Sequence, residues 1–225
     1  MSQLIVNRAD LAWALNATLP HVGSPHRNLD FVGFDCRTVN LRLFATDSYT
    51  VGVANIEQLL EPYRMEQFYL SLSEAKELLR FIRPTLKAHH DQKVALVVQD
   101  DTLDVLLKPL DGGSETLSQV YSLRVPGHSF QDVYGLVQKV SRHRCEVPEF
   151  VAQPVELAKF SKAQRHDTDQ VSLYSAADNV SLSAVVTVGT DFVGAVMGIA
   201  IRDIAKSTLS LWGLEKAQLL TEQAS

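Results

Sequence analysis

The chain has 225 residues, 46% of them apolar and 21% charged, which suits one or two folded domains and argues against wholesale disorder. Its 21 Lys and Arg against 26 Asp and Glu leave a net charge of −5, unlike a generally basic nucleic-acid binder but compatible with a local basic stripe. Two cysteines, Cys36 and Cys145, stand far apart in no metal-binding spacing, too few for a disulfide-stapled secreted scaffold. The opening residues lack the basic and long apolar regions of a secretory leader, and the apolar run at 192–201 is too short to span a bilayer. The expected setting is the cytoplasm, with no membrane contact.

Three segments share one pattern: a short extended stretch, a capped amphipathic helix, then β-like runs. In the first, Leu4-Ile5-Val6 leads into Asn7, a favourable N-cap, with Asp10 suited to the positive helix end. Leu11, Leu15 and Leu19 recur every four residues up to Pro20, one helical face. Runs at 31–34, 41–45 and 50–54 read as strands separated by turn-prone residues.

The second segment opens with Phe68-Tyr69-Leu70, and Ser71 with Glu74 has capping-box spacing. Ala75, Leu78, Leu79 and Ile82 form its apolar face, and Pro84 ends the helix. Strands are expected at 94–98, 103–107 and 119–125. The third segment has Phe150-Val151, a helix start near Pro154 with Glu156 in the first turn, and a face carrying Leu157 and Phe160. Runs at 171–174, 180–188 and 192–197 follow.

The repeat period is roughly 60–80 residues, long for a solenoid but reasonable for an α+β repeat. Helices alternating with antiparallel runs predict an α+β architecture with each helix covering a sheet face. The pattern stops after Ile201, leaving residues 202–225 as a helical or flexible tail.

Enzyme signatures are nearly absent. Ser73-Glu74-Ala75-Lys76 matches S-x-x-K, which would make Ser73 a nucleophile and Lys76 its partner, but the S-D-N and K-T-G motifs of such hydrolases do not occur. The stretch is fully explained as the first turn of a helix. His143 with Cys145, or His89, His90 and Asp91, fall short of the three or four ligands a metal site needs. No catalysis, cofactor or metal is expected.

Basic residues do align. Lys76, Arg80, Arg83 and Lys87 follow spacings of 4, 3 and 4, which at about 100° per residue keeps them within a narrow arc of the second helix. Lys159, Lys162 and His166 repeat the arrangement in the third segment, with Arg165 beside them. Such a stripe suits salt-dependent phosphate contacts. The plainer alternative is the solvated face of a sheet-packed helix.

Ala45-Thr46-Asp47-Ser48-Tyr49-Thr50-Val51-Gly52-Val53 resembles the A-T-D-x-[HRY]-x-[LV]-x-V signature of bacterial sliding clamps, the beta subunits of DNA polymerase III. Phe130-Gln131-Asp132-Val133-Tyr134-Gly135-Leu136-Val137 is similar to the F-P-D-Y-x-x-[LV]-[LF] that closes their middle domain. Residues 191–199 are similar to their C-terminal strand, which ends in M-P-[MVI]-R. Gln131 stands in place of the motif proline, Gly135 of an arginine, and Gly198 of the proline after Met197.

The resemblance covers residues 3–201 and implies a DNA-clamp fold of repeated β-α-β-β-β half-domains, with helices on one face of antiparallel sheets. Residues 1–142 would be a domain of two half-repeats like the clamp's middle domain, and 143–201 a lone half-domain like its last. It further implies a non-catalytic replication or repair accessory protein whose basic helices track duplex DNA through its backbone. The DNA contacts would be Lys76, Arg80, Arg83, Lys87, Lys159, Lys162 and Arg165. A pocket of Thr46, Val51, Leu136, Ala195, Val196 and Met197 would receive short peptides from DNA polymerase or other replication proteins. The competing reading is a clamp-derived interaction module that binds such peptides without encircling DNA.

A homo-oligomer is implied as well. Four chains would supply the twelve half-repeats of a bacterial clamp dimer, whereas two could pair their third half-repeats about a twofold axis. In the tail, Thr208-Leu209-Ser210-Leu211-Trp212 resembles the clamp-binding peptide Q-L-[SD]-L-F. Leu209 and Leu211 would be its branched anchors and Trp212 its aromatic one. The alternative is an amphipathic terminal helix packed on the body.

Overall fold

The computed structural model describes residues 2–59, 67–86, 89–109, 117–124, 130–141, 144–145, 152–176 and 183–198. Strand β1 (Ser2–Asn7) carries the buried Leu4, Ile5 and Val6 and ends on Asn7, whose side-chain oxygen accepts from the Ala9 and Asp10 amides at 2.8 and 3.2 Å. Two of the free amides at the start of helix α1 (Arg8–Thr18) are thereby satisfied. Pro20 stops α1 as expected, and the chain makes one 3-10 turn at Leu19–His21. The meander β2 (Phe31–Asp35), β3 (Asn40–Thr46) and β4 (Thr50–Glu57) follows.

The second half-repeat runs β5 (Gln67–Ser71), α2 (Leu72–Ile82), β6 (Lys93–Gln99), β7 (Thr102–Leu107) and β8 (Leu117–Ser122). The Ser71–Glu74 capping box forms in both directions. At the other end of α2, the buried Arg8 donates from Nε to the Ile82 carbonyl at 2.6 Å and from Nη2 to the Arg83 carbonyl at 3.2 Å. Carbonyls left without helical partners at that terminus are thus paired by a side chain of the first half-repeat.

Then come α3 (Phe130–Ser141), β9 (Arg144–Cys145), α4 (Pro154–Ala158) and the meander β10 (Val171–Ala176), β11 (Ser183–Val188) and β12 (Phe192–Met197). The third helix is shorter than its apolar spacing implies. After α4 the chain tightens into a 3-10 helix, Lys159–Ala163, burying Phe160 and Ala163. A spacing of three suits that tighter repeat.

Two sheets result, ordered β1-β6-β7-β8 and β5-β2-β3-β4-β12-β11-β10-β9, all antiparallel in their named pairings. The leading strands are exchanged: β1, ahead of α1, pairs with β6, and β5, ahead of α2, pairs with β2. The larger sheet runs unbroken from the first half-repeat into the third through β4 and β12.

Helix α1 lies between α2 and the 3-10 helix, over the main core, which holds Leu11, Leu15, Leu78, Ile82, Phe160 and the inward faces of both sheets. Helix α3 departs from the expected single helix face. Its Val133 and Val137 pack with Phe31, Phe44, Val51, Val53, Val185 and Ala195, which line the opposite side of the larger sheet. Val32 and Phe34, the alternate residues of β2, belong to the main core.

Candidate functional site

Turning Ala75, Leu78 and Ile82 inward leaves Lys76 and Arg80 exposed along α2, and Arg83, at its C-cap, continues the row. Lys162 is exposed on the 3-10 helix beyond α1. Among the described residues none of these four enters an ion pair. Lys87 lies outside the described residues.

The other two expected DNA contacts are engaged elsewhere. The Lys159 ammonium pairs with Asp47 in the β3–β4 turn and with Glu156 one turn back. Burial pushes the Asp47 carboxyl up, but Lys159 and the Thr50 and Tyr49 amides outweigh it and hold the group below its ordinary value. Arg165 pairs with Asp10 and, at 2.8 Å, with Asp191, while its guanidinium lies 5.1 Å from the centre of the Trp13 ring. Trp13 Nε1 donates to the Ala163 carbonyl at 3.2 Å. These contacts fasten the third half-repeat to the first, and their distance in sequence hid them from periodicity. Lys159 and Arg165 therefore do not extend the free basic row, and Arg165 lies beyond the helix on which the sequence pattern placed it.

Beneath this fastening, His21 is fully buried against Phe160 and Phe192, ring centres 4.8 and 5.9 Å away. Thr50 Oγ1 donates to Asp47 Oδ1 at 3.0 Å, so the 3.0 Å contact with His21 is a donation from Nδ1. Desolvation pushes the His21 pKa down to about 3, so the ring is neutral. Its Nε2 has no partner among the described residues. A neutral imidazole sealed under aromatic rings joins two sheet segments and offers no route to a substrate.

On the α3 side, Thr46, Val51, Ala195 and Val185 form one row across four strands, each directly paired with the next. Paired residues point the same way, and three of these four belong to the cluster under α3. Met197, two residues beyond Ala195, is 50% exposed, and Leu136 on α3 is 53% exposed. Both remain large apolar side chains in water. Val196 does not join them: strand alternation turns it to the opposite face, where it is fully buried in the main core. A hollow of about 160 Å³ lies between α3 and the third meander, lined by Tyr134, Val137, Tyr174, Val185 and Val193. A wider one of about 450 Å³ opens on the other side of Tyr134, toward Arg37 and Arg42.

The role of α3 was missed as a helix although Val133 and Val137 have helical spacing. Ser73 lies in the first turn of α2, its hydroxyl 3.0 Å from that of the cap residue Ser71. Among the described residues, no three His, Cys, Asp or Glu side chains are grouped to hold a metal. No described helix is long and apolar enough to cross a membrane. The tail residues Leu209, Leu211 and Trp212 lie outside the described residues.

No protein-family model matches the sequence, and no curated protein matches it. Solved structures do. A putative DNA polymerase III beta subunit from Eubacterium rectale is similar with a TM-score of 0.64 at 11% identity, over 90% of this chain and 66% of that one. The DNA polymerase sliding clamp from Pseudomonas aeruginosa gives 0.65 at 13% identity, over 89% and 67%. The sliding clamp from Bacillus subtilis gives 0.62 at 11%, over 88% and 64%. The chain has the DNA-clamp fold in a shortened form, spanning about two thirds of the length of these clamps.

Proposed function

We propose that this chain of clamp fold is a non-catalytic accessory of DNA replication or repair, holding duplex DNA by its backbone and docking short peptides of partner proteins. The observation that carries the DNA half is the row Lys76, Arg80 and Arg83, joined by Lys162, exposed on the helix layer. Flexible cations on helices meet phosphates at any sequence, whereas reading bases requires shaped contacts to base edges. A net charge of −5 fits weak, mobile contact of this kind better than tight wrapping. Lys159 and Arg165 are left out of this surface because their charges are balanced by Asp47, Glu156, Asp10 and Asp191.

The peptide half is supported by Leu136 and Met197 standing exposed about the Thr46–Val51–Ala195 row. Methionine and leucine side chains make an adaptable apolar surface, whereas Thr46, Val51 and Ala195 are themselves buried and support it from beneath. The same observation favours the second reading, an interaction module that binds peptides and not DNA.

Two unrelated duplexes of equal length, titrated at low salt, separate these readings. Equal, saturable affinities support the backbone-holding role. Failure to bind either duplex, with a saturable peptide of residues 207–214, would leave the interaction module.

A further inference from the structure

Two sulfur-bearing side chains of the larger sheet stand in opposite settings. Cys36, just past β2, is fully buried in the main core, and burial pushes its thiol up to about 12. Oxidants attack thiolates that solvent can reach, so a buried, protonated thiol is inert. Met197 is the only methionine among the described residues, and half of its surface is in water. A thioether has no proton to lose before it reacts, so its reactivity follows exposure alone.

Its position gives that exposure a consequence. Met197 closes β12, and its amide donates to the Tyr49 carbonyl at 2.7 Å, just past the last register pair between β12 and β4. The bond fixes the main chain against the β3–β4 turn. Strand alternation puts the side chain on the face of Ala195, beside the Thr46–Val51–Ala195 row. The same alternation buries Val196 in the main core. Oxygen added at Met197 therefore alters the peptide-docking surface and leaves the core as it was.

We infer that Met197 is a reversible oxidation site at which peroxide closes the peptide surface. This rests on the peptide-docking half of the proposed function. In the forward step the Met197 sulfur gives an electron pair to one oxygen of hydrogen peroxide and the O–O bond breaks. The products are methionine sulfoxide and water, so sulfur loses the two electrons that peroxide gains. In the reverse step a dithiol supplies two electrons, the sulfoxide oxygen leaves as water, and the two thiols become a disulfide. A sulfoxide is a polar acceptor. Covering it with a leucine or aromatic anchor strips its hydration and returns no hydrogen bond.

The full chain, treated with limited hydrogen peroxide and mapped by mass spectrometry, is expected to gain oxygen at Met197 before Cys36. A saturating peptide of residues 207–214, which contains no sulfur, should slow that gain by covering the side chain. The oxidised chain should bind this peptide about tenfold more weakly, the worth of one buried apolar side chain, with its thermal midpoint unchanged. Methionine sulfoxide reductase with a dithiol should restore the affinity. Met197→Leu should keep its affinity through the peroxide treatment. Full conversion of Met197 with unchanged affinity would overturn the inference. So would an equal loss of affinity in Met197→Leu, which would place the effect at another residue. If that variant fails to fold, peptide protection and recovery by the reductase in the wild type decide the matter. A reduced chain without saturable peptide binding would instead end the peptide-docking reading, and this inference with it.

Discussion

Gly52 and Gly194 face one another in register where β4 meets β12. A Cβ at Gly52 would overlap the His21 ring, and one at Gly194 would overlap the Val51 carbonyl and the edge of Phe160. The missing side chains let His21 and Phe160 lie flat on the joint that carries one half-repeat into another. Gly194→Val should therefore destabilise the fold by about 1–3 kcal/mol, the usual cost of overpacking a dry site. Gly135 is the opposite case, since a Cβ there meets nothing within 4 Å and the residue lies inside α3. Gly135→Ala should stabilise by about 0.5–1 kcal/mol through helix propensity. Chemical denaturation of both variants checks the opposed signs.

His21 sets an acid limit on stability. Its folded pKa is about 3 against an ordinary 6.5. Above pH 6.5 the ring is neutral folded and unfolded, and it contributes nothing to the pH dependence. Between pH 6.5 and about 3 the unfolded chain takes up a proton that the folded chain refuses, so stability falls as pH falls, roughly tenfold in the folding constant per unit. Asp47, held below its ordinary carboxylate value, adds a second loss at lower pH, as acid protonates it. Denaturation curves across this range should show the slope, and His21→Gln should flatten it between about pH 6 and 4. An unchanged slope in that variant would move the acid sensitivity to other groups.

Lys159 and the α2 row should part company in experiment. Lys159→Ala leaves Asp47 and Glu156 facing each other without their cation, so the thermal midpoint should drop. Its effect on the salt dependence of DNA binding should be small. Lys76→Ala should do the reverse, leaving stability within about 0.5 kcal/mol as an exposed surface change and weakening DNA binding.

The peptide surface divides adjacent residues in the same way. Met197→Ala should weaken binding of a peptide spanning residues 207–214 roughly tenfold, the worth of one buried apolar side chain. Val196→Ala should leave peptide affinity nearly unchanged but cost about 2 kcal/mol of stability, since Val196 sits fully buried in the main core. Calorimetric titration and denaturation of the two variants distinguish a binding surface from ordinary core.

Local chemistry made much of the architecture readable. Asn7, the Ser71–Glu74 box and Pro20 act within a few residues, so α1 and α2 begin and end where the sequence places them. Strand alternation located nine of the twelve described strands to within about three residues, while β9 was not anticipated and β1 and β5 were read only as extended stretches. Residues that depend on tertiary joining were not readable. Lys159 looks like part of a helical stripe until β12 docks on β4 and brings Asp47, 112 positions away, against it. Val196 looks equivalent to Ala195 until the strand's alternation assigns them opposite faces. The resemblance to clamps supplied the fold; it did not reveal which side chains face solvent.

The central claim, that exposed helix cations hold DNA by its phosphates, is tested most directly by the salt dependence of duplex binding. Anisotropy titrations over a range of salt should give a steep linear loss of log affinity with log salt for the wild type. The Lys76→Ala, Arg80→Ala, Arg83→Ala triple variant should lower that slope by about 2–3, at roughly 0.9 for each phosphate no longer neutralised. A folded triple variant that binds duplex with the wild-type slope would contradict the account.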